Sequence, residues 1–172
     1  MVLSILDLGN ASYGGLTAYQ LNKLQKVQNS AVRFIFGLFG KKRWQHISPY
    51  LKQLHFLPVF YRIRYKIALL VFKSLNNISP LYVSEMITLR SEKHHGVRRN
   101  DDCFLLAVPS PPRYNKTHGA FSHSAPHIWN ALPYNLRSSN CIKKFKSELK
   151  TYYFRLAFSE PDEVYNDIEY VI

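Results

Sequence analysis

Thr17–Leu38, TAYQLNKLQKVQNSAVRFIFGL, decides the fold class. Thr17 and Gln20 stand in the Thr-x-x-Gln spacing of a capping box, in which two orphan donors of a helix start are satisfied reciprocally. Leu21, Leu24, Val27, Ala31, Phe34, Ile35 and Leu38 then recur at steps of mostly three and four, which predicts one apolar helix face. Gly37 and Gly40 supply the stop.

Working outward, Ser48-Pro49 and Ser79-Pro80 each set a capping hydroxyl before a proline at the first helical position. Pro58 opens a third helix whose buried stripe is Phe60, Ile63, Ile67, Leu70 and Val71, with Arg62, Lys66 and Lys73 on another side and Asn76-Asn77 at its end. Residues 89–118 change character. Arg90, Lys93, His94, His95, Arg98 and Arg99 read as a mobile basic loop, Phe104–Val108 as a short β element near 103–108, and Pro109-Ser-Pro-Pro112 excludes helix. Pro126 limits 119–130 to two short helical pieces. Asn140 caps the last helix, where Ile142, Phe145, Leu149, Tyr152 and Leu156 form the stripe and Lys143, Lys146 and Lys150 an adjacent face. Trp129 and Tyr134 are assigned to the core. The fold class expected is mostly α, a helical array of about five helices. The chain divides into a lead-in of 1–16, a helical domain of 17–158 (halves 17–88 and 119–158 around the loop 89–118) and an acidic tail of 159–172.

The chain has 172 residues, of which 47% are hydrophobic and 15% aromatic, so it is rich enough to fold around a core. No apolar run spans a membrane. Met1–Asp7 is too short and lacks the basic lead-in of a secretory signal. The chain is therefore expected in nucleus or cytoplasm, with Cys103 and Cys141 as free thiols.

Charge narrows the function classes most. The net formal charge is +12, and five of 11 acids (Glu160, Asp162, Glu163, Asp167, Glu169) lie in the tail. Between Asp7 and Glu85 there are eleven Lys and Arg and no acid. Such an excess points to a polyanionic partner, nucleic acid first and an anionic membrane surface second, against a basic surface that is merely solvated. Lys41-Lys42-Arg43-Trp44 sets three cations beside an indole, suited to phosphates and an unpaired base. Tyr61-Arg62-Ile63-Arg64-Tyr65-Lys66 interleaves rings and cations in the same way. Lys41, Lys42, Arg43, Trp44, Arg62, Arg64 and Lys66 are thus the candidate nucleic-acid-binding residues, and phosphates the main contact.

Catalytic constellations are not found. His123 and His127 have metal-ligand spacing, but Pro126 lies between them and no third ligand follows at a zinc spacing. Asp101-Asp102 lacks the aromatic-x-Asp-Asp setting and the neighbouring carboxylate of a two-metal site. Ser122-His123-Ser124 has no glycine elbow. Gly14-Gly15 lacks the Lys-Ser/Thr of a phosphate loop. No enzyme activity, metal, cofactor or small-molecule substrate is expected of this chain alone.

Leu21-Asn-Lys-Leu-Gln-Lys-Val-Gln-Asn-Ser-Ala-Val-Arg33 resembles the L-x-x-L-Q-x-x-Q-N-x-A-x-R helix that follows the polymerase domain in LINE-type, jockey-like (non-LTR) retrotransposon reverse transcriptases. Ile5-Leu-Asp-Leu-Gly9, Tyr13-Gly-Gly15, His46-Ile-Ser-Pro49 and Leu54-His-Phe-Leu-Pro-Val59 continue the likeness, as do Ala120-Phe-Ser122, Ala125-Pro126 and Trp129-Asn-Ala-Leu-Pro133. The resemblance spans about residues 5–158. It implies the post-palm, thumb-side part of an RNA-directed DNA polymerase, with RNA or DNA as partner and a polymerase palm as a protein partner. None of the family's catalytic residues has a counterpart here, and the terminal zinc knuckle of some relatives is missing.

Overall fold

A computed structural model describes Gly9 and residues 14–93, 104–110 and 120–158, apart from the side chains of Lys41, Arg43, Glu92 and Lys93. The described residues are mostly α, as expected. The helices are α1 (Ala18–Ile35), α2 (Ser48–Gln53), α3 (Val59–Leu75), α4 (Leu81–Ser84), α5 (Arg90–Lys93), α6 (Phe121–Asn130), α7 (Tyr134–Arg137) and α8 (Ile142–Phe158), with a 3-10 turn at Gly40–Trp44. Asp101, Asp102, Cys103, His94, His95, Arg98, Arg99 and the tail 159–172 lie outside the described residues.

Local chemistry explains where these helices begin and end. The Thr17 capping box forms: Gln20 N–H donates to Thr17 Oγ1 and Thr17 N–H to Gln20 Oε1 at 3.0 Å. Past Ile35 the chain turns left-handed at Gly37 (φ 61°), where Leu38 N–H reaches Arg33 O at 2.9 Å and Gly37 N–H reaches Phe34 O. This is the Schellman pattern, and its partner Leu38 is buried. His55 ends α2 and Asn77 ends α3 with the same two bonds and positive φ. The proline-marked starts are correct, but the serine caps are not used. Helix α2 starts at Ser48 itself, behind Ile47, with no side-chain cap. Ser79 instead shares hydrogen bonds with the hydroxyls of Ser74 and Ser84. The last helix is preceded by Cys141 rather than capped by Asn140, since Phe145 N–H donates to Cys141 O.

Helix α3 is the centre of the molecule, with α6, α8 and α1 packed around it. Its fully buried Ile67, Ala68, Val71 and Phe72, together with buried Val59, Tyr61 and Ile63, make a wider inward face than the single stripe expected, and Phe60 and Leu70 remain partly exposed. Phe72 stacks on Phe145 of α8 at 4.3 Å between centroids, and Trp129 of α6 lies 5.9 Å from Phe145. Pro126 does not divide α6. It removes one backbone donor, yet the ten residues stay in one helix and the ring is fully buried, which offsets the lost bond. On α8 the stripe runs through Phe145, Leu149 and Tyr153, while Tyr152 is only partly buried and Leu156 is exposed. Tyr153 takes the place of Tyr152 because it meets Tyr61 of α3 at 6.0 Å.

Helix α1 departs most from its apolar periodicity. Its buried residues are Gln28 and Val32, while Val27, Phe34 and Ile35 are exposed. The reason is polar. Gln28 Nε2 donates to Leu57 O at 2.9 Å, Val59 N–H donates to Gln25 Oε1 at 2.8 Å, and Gln25 Nε2 donates to Gln28 Oε1 at 3.0 Å. Two glutamines thus clamp the backbone that enters α3. One residue is about 100° of helix, so turning Gln28 inward turns Val27 and Phe34 away.

The expected β element is reduced to a single antiparallel bridge between Leu106 and Leu89, with no strand among the described residues. Arg90 N–H donates to Leu105 O and Ala107 N–H to Thr88 O. On the other edge Asn130 replaces a second strand: Leu106 N–H donates to its Oδ1 and its Nδ2 donates to Leu106 O, both at 2.9 Å. Trp129 Nε1 donates to Phe104 O. Trp129 is a core residue as expected. Tyr134 is not, because it starts α7 on the outer surface.

Phe145→Ala removes the ring between Phe72 and Trp129 and is expected to destabilise by ~3–5 kcal/mol in urea unfolding, whereas Leu156→Ala should stay within about 0.5 kcal/mol. Asn130→Ala leaves both polar groups of Leu106 without their partner and is expected to cost ~1–3 kcal/mol by the same measurement.

Candidate nucleic-acid interface

The candidate residues fall on two elements. Lys41, Lys42, Arg43 and Trp44 occupy the 3-10 turn after α1. Lys42 is exposed and the Trp44 indole is 79% accessible. The turn is anchored, since Arg33 Nη2 donates to Gln45 O at 3.2 Å and Tyr50 hydrogen-bonds Gln45 Oε1. Phe34 and Phe39 meet edge to face at 6.3 Å beside it, so this end of the molecule carries exposed rings together with cations.

On α3, Arg62 and Lys66 are four residues apart and share the outward ridge with Lys73. Arg64 is separated from them by about 200° of helix rotation. Its guanidinium lies 4.3 Å over the Phe60 ring. Burial pushes the Tyr153 phenol strongly up, while the positive field of Arg64 pulls the other way. The structure therefore unites Arg62 with Lys66 and sets Arg64 on the inner side as a packing cation.

Lys143, Lys146 and Lys150 form a further exposed basic row on α8, and the described residues give none of the three a carboxylate partner. The neighbouring Lys144 meets Glu148 at 3.8 Å, a solvent-exposed pair of small energetic weight. Their three- and four-residue spacing is visible in the sequence, but only the inward placement of Phe145 and Leu149 makes them one outward face. A cleft of about 140 Å³ separates α1, α2, the start of α3 and the end of α8, lined by Leu21, Asn22, Ile47, Leu51 and Phe158 among others.

His123 and His127 lie on the unbroken α6, and no group of three or more His, Cys, Asp or Glu is placed to share a metal among the described residues. No described helix is long and apolar enough to cross a membrane. Comparison with protein-family models, curated proteins and solved structures finds no match for this chain.

Cys141 is exposed at the start of α8, and the backbone N–H groups of Lys144 and Lys143 donate to its sulfur. These bonds lower the thiol pKa. The folded value lies below the unfolded one, so this contribution to stability is present above the unfolded pKa and is lost as pH falls through the folded pKa. In a Cys103→Ser chain, the pH midpoint for iodoacetamide alkylation of Cys141 should be lower for folded than for urea-unfolded protein. Equal midpoints would mean the sulfur does not cap the helix.

Proposed function

We propose that this chain is a non-catalytic helical module that grips RNA or DNA through phosphates. By its resemblance it is the post-palm remnant of a LINE-type reverse transcriptase. The observation that carries this reading is the acid-free stretch of residues 8–84 with its eleven cations. The outward ridge of Arg62, Lys66 and Lys73 and the exposed row of Lys143, Lys146 and Lys150 support it, because a face rich in cations releases counterions when it meets a phosphate backbone. Trp44 adds an accessible ring on which an unpaired base can stack.

The exposure of Phe34, Ile35, Phe39 and Trp44 favours a second reading, in which this end packed against a polymerase palm and the isolated chain is only an interaction surface. Salt dependence separates the two. If about five phosphates are neutralised, log K should fall against log salt with a slope of roughly −3.5 on single strands and −4.5 on duplex. Replacing Lys41, Lys42 and Arg43 with Ala should weaken all sequences alike and flatten that slope. Trp44→Ala should weaken single strands by ~1–3 kcal/mol and leave the slope unchanged. Failure of the purified chain to bind at tens of micromolar in ~150 mM salt, where even non-specific binders register, would leave the interaction-surface reading.

A further inference from the structure

We propose that the cleft between α1, α2, the start of α3 and the end of α8 is a base pocket, which takes one unpaired pyrimidine of a bound single strand. Such a pocket rests on the nucleic-acid reading and adds contact with a base to contact with phosphate.

The size of the cleft sets the class of ligand. It holds about 140 Å³. An apolar cavity of about 150 Å³ takes benzene, so one six-membered ring fits here and the two fused rings of a purine do not. Phe60, Tyr61 and Phe158 supply ring walls, and unpaired bases stack on such rings. The walls are braced from outside the cleft. Phe60 meets Tyr61 edge to face at 5.2 Å and lies under the Arg64 guanidinium, while Phe158 meets Phe154 at 4.6 Å. A pocket formed in advance loses little freedom when it fills.

Polar groups distinguish the cleft from a packing gap. Asn22, Asn29 and Ser48 also line it. Gln25 Nε2 donates to Asn29 Oδ1 at 2.8 Å, which fixes that amide and leaves its Nδ2 to donate elsewhere. No described residue pairs with the Asn22 amide or the Ser48 hydroxyl. An amide offers a donor beside an acceptor, and the edge of a pyrimidine offers the complementary pair. A purely apolar ring would leave these groups unpaired, which disfavours it. Charge decides between a base and an aromatic side chain of a protein partner. Helices α1, α2 and α3 carry no acid. Exposed Lys26 shares a ridge of α1 with Asn22, four residues before it, and Asn29, three residues after it. A ring that arrives with a phosphate attached therefore gains at this place, and a neutral or cationic peptide does not.

Oligo-dT, oligo-dA and an abasic strand of equal length carry the same charge, so their affinities differ only through the bases. Binding to the full-length Trp44→Ala chain is measured by fluorescence anisotropy at one fixed salt concentration, which removes stacking on Trp44 from the comparison. Oligo-dT is expected to bind roughly tenfold or more tighter than the abasic strand, and oligo-dA to gain less. Two further substitutions in that chain locate the effect. Ala18→Leu fills the cleft, and Asn22→Ala removes an exposed amide without touching the Gln25–Gln28 clamp. Each should bring oligo-dT towards the abasic affinity and leave abasic binding unchanged, which also reports an intact fold. Equal affinity for oligo-dT and the abasic strand would overturn the base pocket while phosphate binding stands. A gain with oligo-dA as large as with oligo-dT, or a preference that both substitutions leave intact, would do the same. Absence of binding by all three strands would overturn the nucleic-acid reading and the pocket with it.

Discussion

The burial of α3 on three sides is the constraint from which the rest of this fold follows. A helix that meets one neighbour needs one apolar stripe, but α3 meets α1, α6 and α8 and is apolar around most of its circumference. The Phe72–Phe145 stack, with Trp129 against Phe145, fixes α6 and α8 relative to it. Each ring is almost fully buried, so none can be reduced without leaving a cavity that helices on several sides cannot close together. What remains for solvent on α3 is a narrow ridge, and that ridge is basic.

Polar side chains do the work that a sheet would do elsewhere. The connections between these helices expose backbone groups whose partners must come from somewhere. Gln25 and Gln28 supply them at the entry to α3, and Asn130 and Trp129 supply them along 104–106. These four residues belong to the L-Q-x-x-Q-N and W-N motifs on which the resemblance to reverse transcriptases rests. Their identities thus have a structural reason in this chain, independent of any nucleic acid. Glutamine and asparagine suit the task because each amide offers a donor and an acceptor together, matching the backbone unit that it serves.

Charge and exposed apolar area are segregated along the same chain. Cations dominate residues 8–84 and acids collect after residue 159. The Gly40–Trp44 turn is where exposed rings and cations coincide, whereas the α8 lysine row is purely ionic. A phosphate backbone satisfies both places electrostatically, but only a partner with rings or aliphatic groups satisfies the turn. That difference in chemistry is why the two basic regions need not serve the same ligand.

Much of the local order was legible in the sequence. The capping box at Thr17, the stops at Gly37 and Asn76-Asn77, and the start after Pro58 depend on contacts within a few residues, and each is found. The basic character of the surface was equally plain, because charge is additive and needs no fold to be counted. Tertiary structure decided which face turns inward. Apolar spacing marked Val27, Phe34 and Leu156 for burial, but hydrogen bonds from Gln25 and Gln28 to a distant loop rotated α1, and contact with Tyr61 chose Tyr153 over Tyr152. Grouping of the α3 cations was legible from spacing, since Arg62 and Lys66 share a ridge and Arg64 reaches Phe60 within the same helix. The choice of inward face on α1 and α8 rests on pairs of residues far apart in the chain, and periodicity within one helix carries no information about it.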